Sequence, residues 1–453
     1  MSWTNENSRP QWTATFDIAG KRSIPRSFRS TPGPIQQHQK INKNHPTLPP
    51  SQTLIELISI SRIIVDYFWE HKFLSALHMI APLLIATLLI AKNKKLQIQI
   101  SSTDKAAAYF TTLSLISFLA NPNEIAAIAI LKFLGYMSSY IAGRLFYPTH
   151  KNLKFIGWFS LLSLVSLTAM AVTGNGYVKW GAVGTFTGGY FFKTDLAIAC
   201  LISLTFIFST LNNRIALGIG LVLSGYLVFK SNARIALPLI IIIPVFIKAA
   251  LYGKLGLLNI KTALIGLSAA AMGMTIFALI DFQSLGMLGF DFADPFSAAN
   301  TQGRSVIWSA ILHAYSNAPL ISQIFGSGLN ADAEATRLFS ESVQLEGVRA
   351  HNSYLYLLLC MGIAGSLSFY WLMYSISKKA LVLLRQINKT VRVIPTISCA
   401  FLIMFFWLSM TTEIIIRPQL MILLFFFSGL HVQNYLKVKK AMRANLREAT
   451  YSS

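Results

Sequence analysis

The sequence predicts an all-α, polytopic membrane protein of about twelve transmembrane helices with one large, partly helical loop. Three observations predict it. Only 12% of the 453 residues are charged while 54% are hydrophobic, and the mean hydropathy is +0.53. A soluble domain with so little charge cannot cover its surface, so most of the chain faces lipid. Apolar runs of about 20 residues recur, the length that crosses a ~30 Å hydrocarbon core. The basic residues, which give a net charge of +22, gather in alternate connections between those runs, the pattern of cytoplasmic loops.

Taken in order, residues 1–53 are polar, basic and proline-bearing, with Arg9, Lys21, Arg22, Arg26, Arg29, Lys40 and Lys43. They lack the apolar core of a signal peptide and read as a disordered cytoplasmic tail that can touch anionic lipid. Spans are expected near 54–70, 73–91, 106–120, 124–147, 153–173, 190–210, 213–229, 233–250 and 260–280, and then near 353–376, 393–411 and 418–436. The first contains Glu56, Arg62 and Asp66, and alone would pass for an interfacial helix. Residues 437–453 form a basic tail with Lys437, Lys439, Lys440, Arg443 and Arg447.

Orientation follows from the charges. With the C-terminal tail in the cytoplasm, the connections that should be basic are basic. One holds Lys378, Lys379, Arg385, Lys389 and Arg392, the next Lys248, Lys254 and Lys261. Then come Arg214, the trio Arg144, Lys151 and Lys154, and the set Lys92, Lys94, Lys95 and Lys105. Both termini are therefore expected inside, and residues 281–350 form one large loop on the periplasmic side of a bacterial inner membrane. A loop of that length in a compact protein is usually functional. Within it SVIWSAILHAYSNA has helical spacing, and Phe325-Gly326-Ser327-Gly328 reads as a turn. A second outer connection, 174–190, is too glycine-rich and polar to span and reads as a re-entrant or lining segment.

Composition excludes several functions. Nucleic-acid binding finds no motif to go with the charge. Cys200, Cys360 and Cys399 lie inside apolar runs and behave as small buried hydrophobes, not as a disulfide framework. No metal site is evident, since His313 and His351 lack a carboxylate at ligand spacing, and no cofactor is expected.

Three residues stand out once the topology is drawn. Arg234 sits at the outer mouth of a span, Arg304 opens the helical part of the large loop, and His351 lies where that loop re-enters the membrane. Their shared depth, despite their separation in sequence, points to a site. Each has a plainer reading. Arg234 can snorkel to headgroups, Arg304 can cap a helix or pair with Asp294 or Glu341, and an interfacial histidine is commonly structural.

The surrounding pattern resembles the O-antigen ligase and O-antigen/exopolysaccharide polymerase superfamily. The likeness runs through GGYFFKTDLA (188–197), SNAR (231–234), GRSVIW (303–308), FGSG (325–328), AHNSYL (350–355) and MGIAG (361–365), over roughly residues 180–370. It departs from the family where Thr194 follows Lys193 and where Ala233 precedes Arg234, and the long basic tail is not part of the pattern. The resemblance implies a C-type glycosyltransferase-like fold and a donor glycan carried on undecaprenyl diphosphate. The leaving diphosphate gains charge as the glycosidic bond breaks, which suits the planar guanidinium forks of Arg234 and Arg304. His351 would accept the proton of the acceptor hydroxyl. Arg349 or Arg304 would keep its imidazole neutral. Lys193, Arg349, Asn352, Glu413 and Arg417 are secondary candidates for holding substrate, with a structural ion pair the plainer reading of Glu413–Arg417.

Within that resemblance a polysaccharide polymerase comes first, and a ligase joining glycan to lipid A core second. A protein-glycosylating transferase is third. The implied partners are the lipid-linked donor, a glycan or lipid A-core acceptor, membrane lipids and a chain-length regulator. Two readings from other classes stay open. A transporter or flippase fits twelve spans, but the halves show no repeat, and an inactive envelope scaffold would leave the converging cations unexplained.

Overall fold

The computed structural model describes residues 51–68, 70–92, 99–145, 153–180, 183–254, 304–339, 348–386 and 388–451. The chain divides into Met1–Thr47 and Leu48–Ser453, and the former lies outside the described residues. So do the expected span 260–280, Asp294 and Glu341.

The described chain is almost wholly helical. Its first half runs α1 (Ser51–Tyr67), α2 (Lys72–Lys92), α3 (Ser102–Ala120), α4 (Glu124–Leu145) and α5 (Lys154–Val172). After a hairpin come α6 (Lys193–Thr210), α7 (Arg214–Lys230), a 3-10 turn at Arg234–Ala236 and α8 (Leu237–Leu251). The large loop contributes α9 (Arg304–Ser316), α10 (Leu320–Phe325) and α11 (Ala331–Phe339). The chain closes with α12 (Ser353–Leu384), α13 (Lys389–Leu408), a 3-10 turn at Ile414–Ile416 and α14 (Pro418–Tyr451).

Seven of these helices are long and apolar enough to cross a membrane: α4, α5, α6, α8 with its 3-10 turn, α12, α13 and α14 through Ala444. The chain is a multi-pass membrane protein. Every other described segment expected to span also falls on a helix, namely α1, α2, α3 and α7, of which α1 and α7 hold 17 residues each.

Two helices form the centre. From Asp195 to Ser209 every residue of α6 is buried, and α5, α7, α8, α13 and α14 pack around it. A helix that is apolar all round belongs inside a bundle. The helix α14 is covered likewise from Leu420 to Phe427, chiefly by α4. Gly143 and Gly429 let these two backbones touch, because a Cβ on either would collide with the facing main chain. At the same end Asp104 binds α4 to α3. It accepts from Tyr140 Oη at 2.7 Å and Arg144 Nε at 3.0 Å while completing a capping box with Ser101.

Three details go beyond the expectation. Residues 174–190, expected as a re-entrant or lining segment, contain two strands. They make an antiparallel hairpin, β1 (Tyr177–Trp180) and β2 (Val183–Phe186), with Tyr177 opposite Phe186. Glycines in left-handed backbone at 174, 176, 188 and 189 flank it. The basic tail continues α14 as helix to Tyr451. Finally, α12 is broken at Gly362 (φ 67°, ψ −174°). The break frees carbonyls, and the FGSG turn docks there: Ser327 N–H donates to Leu359 O at 3.0 Å and Gly328 N–H to Cys360 O at 3.3 Å. A Cβ on Gly362 would lie 2.6 Å from Gly326 N. The loop and α12 therefore interlock through glycine.

Candidate functional site

The segment 348–353 presents His351, and buried ion pairs fix its path. Arg349 Nη1 lies 3.0 Å from Asp332 Oδ1, and Arg349 Nε 3.6 Å from Glu413 Oε2. The same carboxylates seize the next two amides: Ala350 N–H donates to Asp332 Oδ2 at 3.1 Å and His351 N–H to Glu413 Oε1 at 2.8 Å. Asp332 comes from α11 and Glu413 from the turn between α13 and α14, so two separate elements grip the three residues 349–351. That clamp holds His351 at φ 49°, a left-handed conformation costing roughly 1–2 kcal/mol for a residue with a Cβ. Among the described residues only Asn232 shares this feature without being glycine, and it stands two positions before Arg234.

Asn352 then starts α12. Its Oδ1 accepts from the amides of Tyr354 and Leu355 at 2.9 and 3.1 Å, and its Nδ2 donates to Met410 O at 3.1 Å. The carboxamide thus caps a helix and ties it to the end of α13. Glu413, also expected at the substrate, is buried and turned to the His351 backbone. Its partner among the arginines is Arg349, not Arg417 as the sequence reading paired it. Arg417 pairs instead with Asp195, its Nη1 3.2 Å from Oδ1, and lies over the Phe192 ring at 5.0 Å.

Arg304 is the first residue of α9, partly buried, and forms no ion pair among the described residues. Trp308, one turn on, clips α9 to the His351 segment through Nε1–H to Ala350 O at 3.1 Å. Arg234 opens its 3-10 turn with Nε donating to Asn232 Oδ1 at 3.4 Å. Trp407 Nε1–H, bonded to Ile235 O at 2.7 Å, anchors that turn to α13. Lys193 begins α6.

These groups share one electrostatic neighbourhood. The charges of Arg304 and Arg234 act on Lys193. Those of Arg304, Arg417, Asp332 and Arg349 act on His351. The eight sequence-selected residues thus collect at one end of the bundle. A narrow cavity is lined by Thr194, Ala233, Ile235, Leu408, Thr412 and Ile414, several of them chain neighbours of Lys193, Arg234 and Glu413.

The field has a definite sign. Lys193, Arg234, Arg304, Arg349 and Arg417 face Asp195, Asp332 and Glu413, an excess of cations in a partly buried site. Burial, then Arg304 and Arg417, pushes His351 down to about 4, so its imidazole is neutral at pH 7. Burial also lowers Arg304. Glu413 is raised to about 8, by burial and by Asp332, against the pull of Arg349. Arg349 itself is raised: burial opposes this, and the two carboxylates overcome it. One guanidinium serves two buried acids, and the shorter contact makes Arg349–Asp332 the ion pair proper. The ring nitrogens of His351 make no hydrogen bond among the described residues. Among those residues no group of three His, Cys, Asp or Glu side chains is placed to hold a metal ion. A neutral imidazole beside cations without matching carboxylates suits a multiply charged anion, with a proton acceptor at hand.

Asp332, Lys132 and Tyr136 escaped the sequence reading. Asp332 carries no motif that separates it from other loop acids. Lys132 did carry a signal, because an ionisable residue inside a span is functional by default. The charges of Arg417, Arg349, Glu413 and Asp195 act on it.

No protein-family model matches the chain, and no curated protein matches it.

Proposed function

We propose that the protein transfers an undecaprenyl-diphosphate-linked glycan to a glycan hydroxyl at the periplasmic face, as a metal-independent polysaccharide polymerase. The observation that carries this reading is the reach of Arg304, whose charge acts on His351 and, together with that of Arg234, on Lys193. The resemblance to the O-antigen ligase and polymerase superfamily supplies the substrate class. In this reading twelve spans, including 260–280, place both termini in the cytoplasm and the site at the outer leaflet.

The chemistry follows from the groups. Arg304 and Arg234 hold the diphosphate, with Lys193 and Arg417 beside them. The acceptor hydroxyl attacks the anomeric carbon, its C–O bond forming as the C–O bond to the diphosphate breaks. The hydroxyl proton passes to the neutral His351 imidazole, and the electron pair leaves on the diphosphate, where fixed guanidinium groups stabilise the growing charge. Arg349, Asp332, Glu413 and Asn352 keep His351 in place. A ligase using lipid A core as acceptor would share every one of these roles.

The test is glycan transfer by the purified protein in lipid nanodiscs, with a lipid-diphosphate oligosaccharide as donor. Arg304→Ala and His351→Ala should each lower the rate by at least about 100-fold, the scale of losing a charge-stabilising donor or a general base. Excess chelator should leave the wild type active. Wild-type turnover by either variant removes that residue from the mechanism, and loss in chelator with rescue by Mg²⁺ contradicts the metal-free proposal. Surface glycans of a deletion strain then separate the acceptors: single capped repeats indicate a polymerase, long unattached chains a ligase.

A further inference from the structure

A second set of polar groups lies deeper in the bundle than His351, and two of its three members, Lys132 and Tyr136, have no part in the transfer step. It centres on α4. Lys132 stands eight residues inside that helix, about 12 Å along its axis at 1.5 Å per residue. Tyr136 follows one turn later on the same face. Its ring is fully buried and stacks on Phe425 of α14, with centroids 6.0 Å apart and planes 6° from parallel.

The register between the two helices brings Lys132 level with Arg417. Gly143 packs on Gly429, and Tyr136 on Phe425, so α4 and α14 run in the same direction. Eleven residues before Gly143 is Lys132, and eleven before Gly429 is Pro418, next to Arg417. Helix side chains lean toward the N-terminus, which carries the Tyr136 hydroxyl up toward that level. The charges of Arg417 and Arg62 act on it there.

Each of these groups keeps an unused donor. Tyr136 Oη and Arg417 Nε are buried with no hydrogen-bond partner among the described residues. Lys132 is partly buried and forms no ion pair among them either. Nearby charges are already matched: Asp195 to Arg417, Asp332 to Arg349, and Asp66 to Arg62 within α1. An orphaned buried donor costs about 1–3 kcal/mol, and an unmatched ammonium within a span costs more. Snorkelling of Lys132 explains neither the unpartnered phenol nor the unpartnered guanidinium N–H. An ammonium, a phenol and a guanidinium N–H at one level are a donor set for phosphate oxygens.

We propose that Lys132, Tyr136 and Arg417 form a phosphate subsite within the membrane-spanning region that takes the isoprenoid-bearing phosphate of a lipid diphosphate. The proposal rests on the transferase reading for the identity of the lipid. Arg304 and Arg234 would hold the sugar-bearing phosphate nearer the surface, so the two phosphates would divide between an outer and an inner set of cations.

The test measures binding of undecaprenyl phosphate to the full chain in nanodiscs by native mass spectrometry, beside phosphatidylglycerol and inorganic phosphate. Tyr136→Phe removes only an oxygen, and Lys132→Met removes the charge while shortening the side chain by a single atom. Each should weaken undecaprenyl phosphate about tenfold or more, the worth of one hydrogen bond to a charged group, whereas Lys132→Arg should stay within about threefold. Unchanged affinity in both Tyr136→Phe and Lys132→Met overturns the proposal. So does a loss confined to phosphatidylglycerol, which would make the subsite one for bulk phospholipid, or displacement of the lipid by millimolar inorganic phosphate. The two readings fail separately. Binding that depends on Lys132 and Tyr136 in a protein that never transfers glycan leaves the subsite and removes the transferase. Transfer by both variants at wild-type KM removes the subsite alone.

Discussion

His351 should titrate far below an ordinary histidine, and Arg304 should be a main reason. Burial and neighbouring cations take His351 from 6.5 down to about 4, which disfavours the charged ring by roughly 3 kcal/mol. Burial is the larger cause and Arg304 the largest charge. Arg304→Ala therefore relieves the second and not the first, and the apparent pKa should rise by about one unit and stay below 6.5. Arg304→Lys keeps the charge and should move it little. The assay is NMR of histidine-labelled protein in nanodiscs, with the His351 signal assigned through His351→Gln. The same shift shapes stability. The unfolded chain takes up the proton first as pH falls, so the contribution of His351 is complete above pH 6.5 and declines until about pH 4. A bound diphosphate adds negative charge and should pull the pKa upward. Titration of the wild type at 6.5 or above, or no response to Arg304→Ala, would refute this account of the site's field.

Three further outcomes follow from the geometry. Arg349→Ala strands Asp332 and Glu413 in a buried setting and should cost about 3–5 kcal/mol, read as a lowered thermal midpoint in detergent. Adding Asp332→Asn should recover much of that loss, and an additive double variant would show that the pair is not coupled. Gly362→Ala forces a Cβ into left-handed backbone against the FGSG turn. It should destabilise the protein by about 3 kcal/mol or more, and a wild-type midpoint would mean that the break in α12 is dispensable. A phosphatase reporter fused after Leu320 should be active outside the cytoplasm and one after Lys389 inactive. The reverse pattern would invert the topology and remove the outer-leaflet site.

Helices and turns were legible wherever the signal is local. Apolar runs place the helices because a lipid-facing or fully buried helix needs no pattern beyond length. The spacing in SVIWSAILHAYSNA gives α9, and two glycines give the turn at 325–328. The hairpin at 177–186 was hidden because its glycines mark a departure from helix without saying which departure. The break at Gly362 was hidden because an apolar run reads the same whether continuous or kinked. For the site, the arginines and His351 were legible as charges at one depth. Asp332 was not, since its pairing with Arg349 across 17 positions is set by how α11 folds back on α12. Lys132 was swallowed by the apolar run around it, although a lone cation there is the strongest signal a span can carry.

The central claim is that Arg304 and Arg234 grip a lipid diphosphate together, and affinity for that ligand tests it most directly. Native mass spectrometry of an undecaprenyl-diphosphate oligosaccharide on the wild type, each single alanine variant and the Arg234→Ala/Arg304→Ala double variant supplies the measurement. Each guanidinium should contribute about tenfold or more, and the double variant should bind at least about 100-fold more weakly than the wild type. A double variant that binds as the wild type does would contradict the claim.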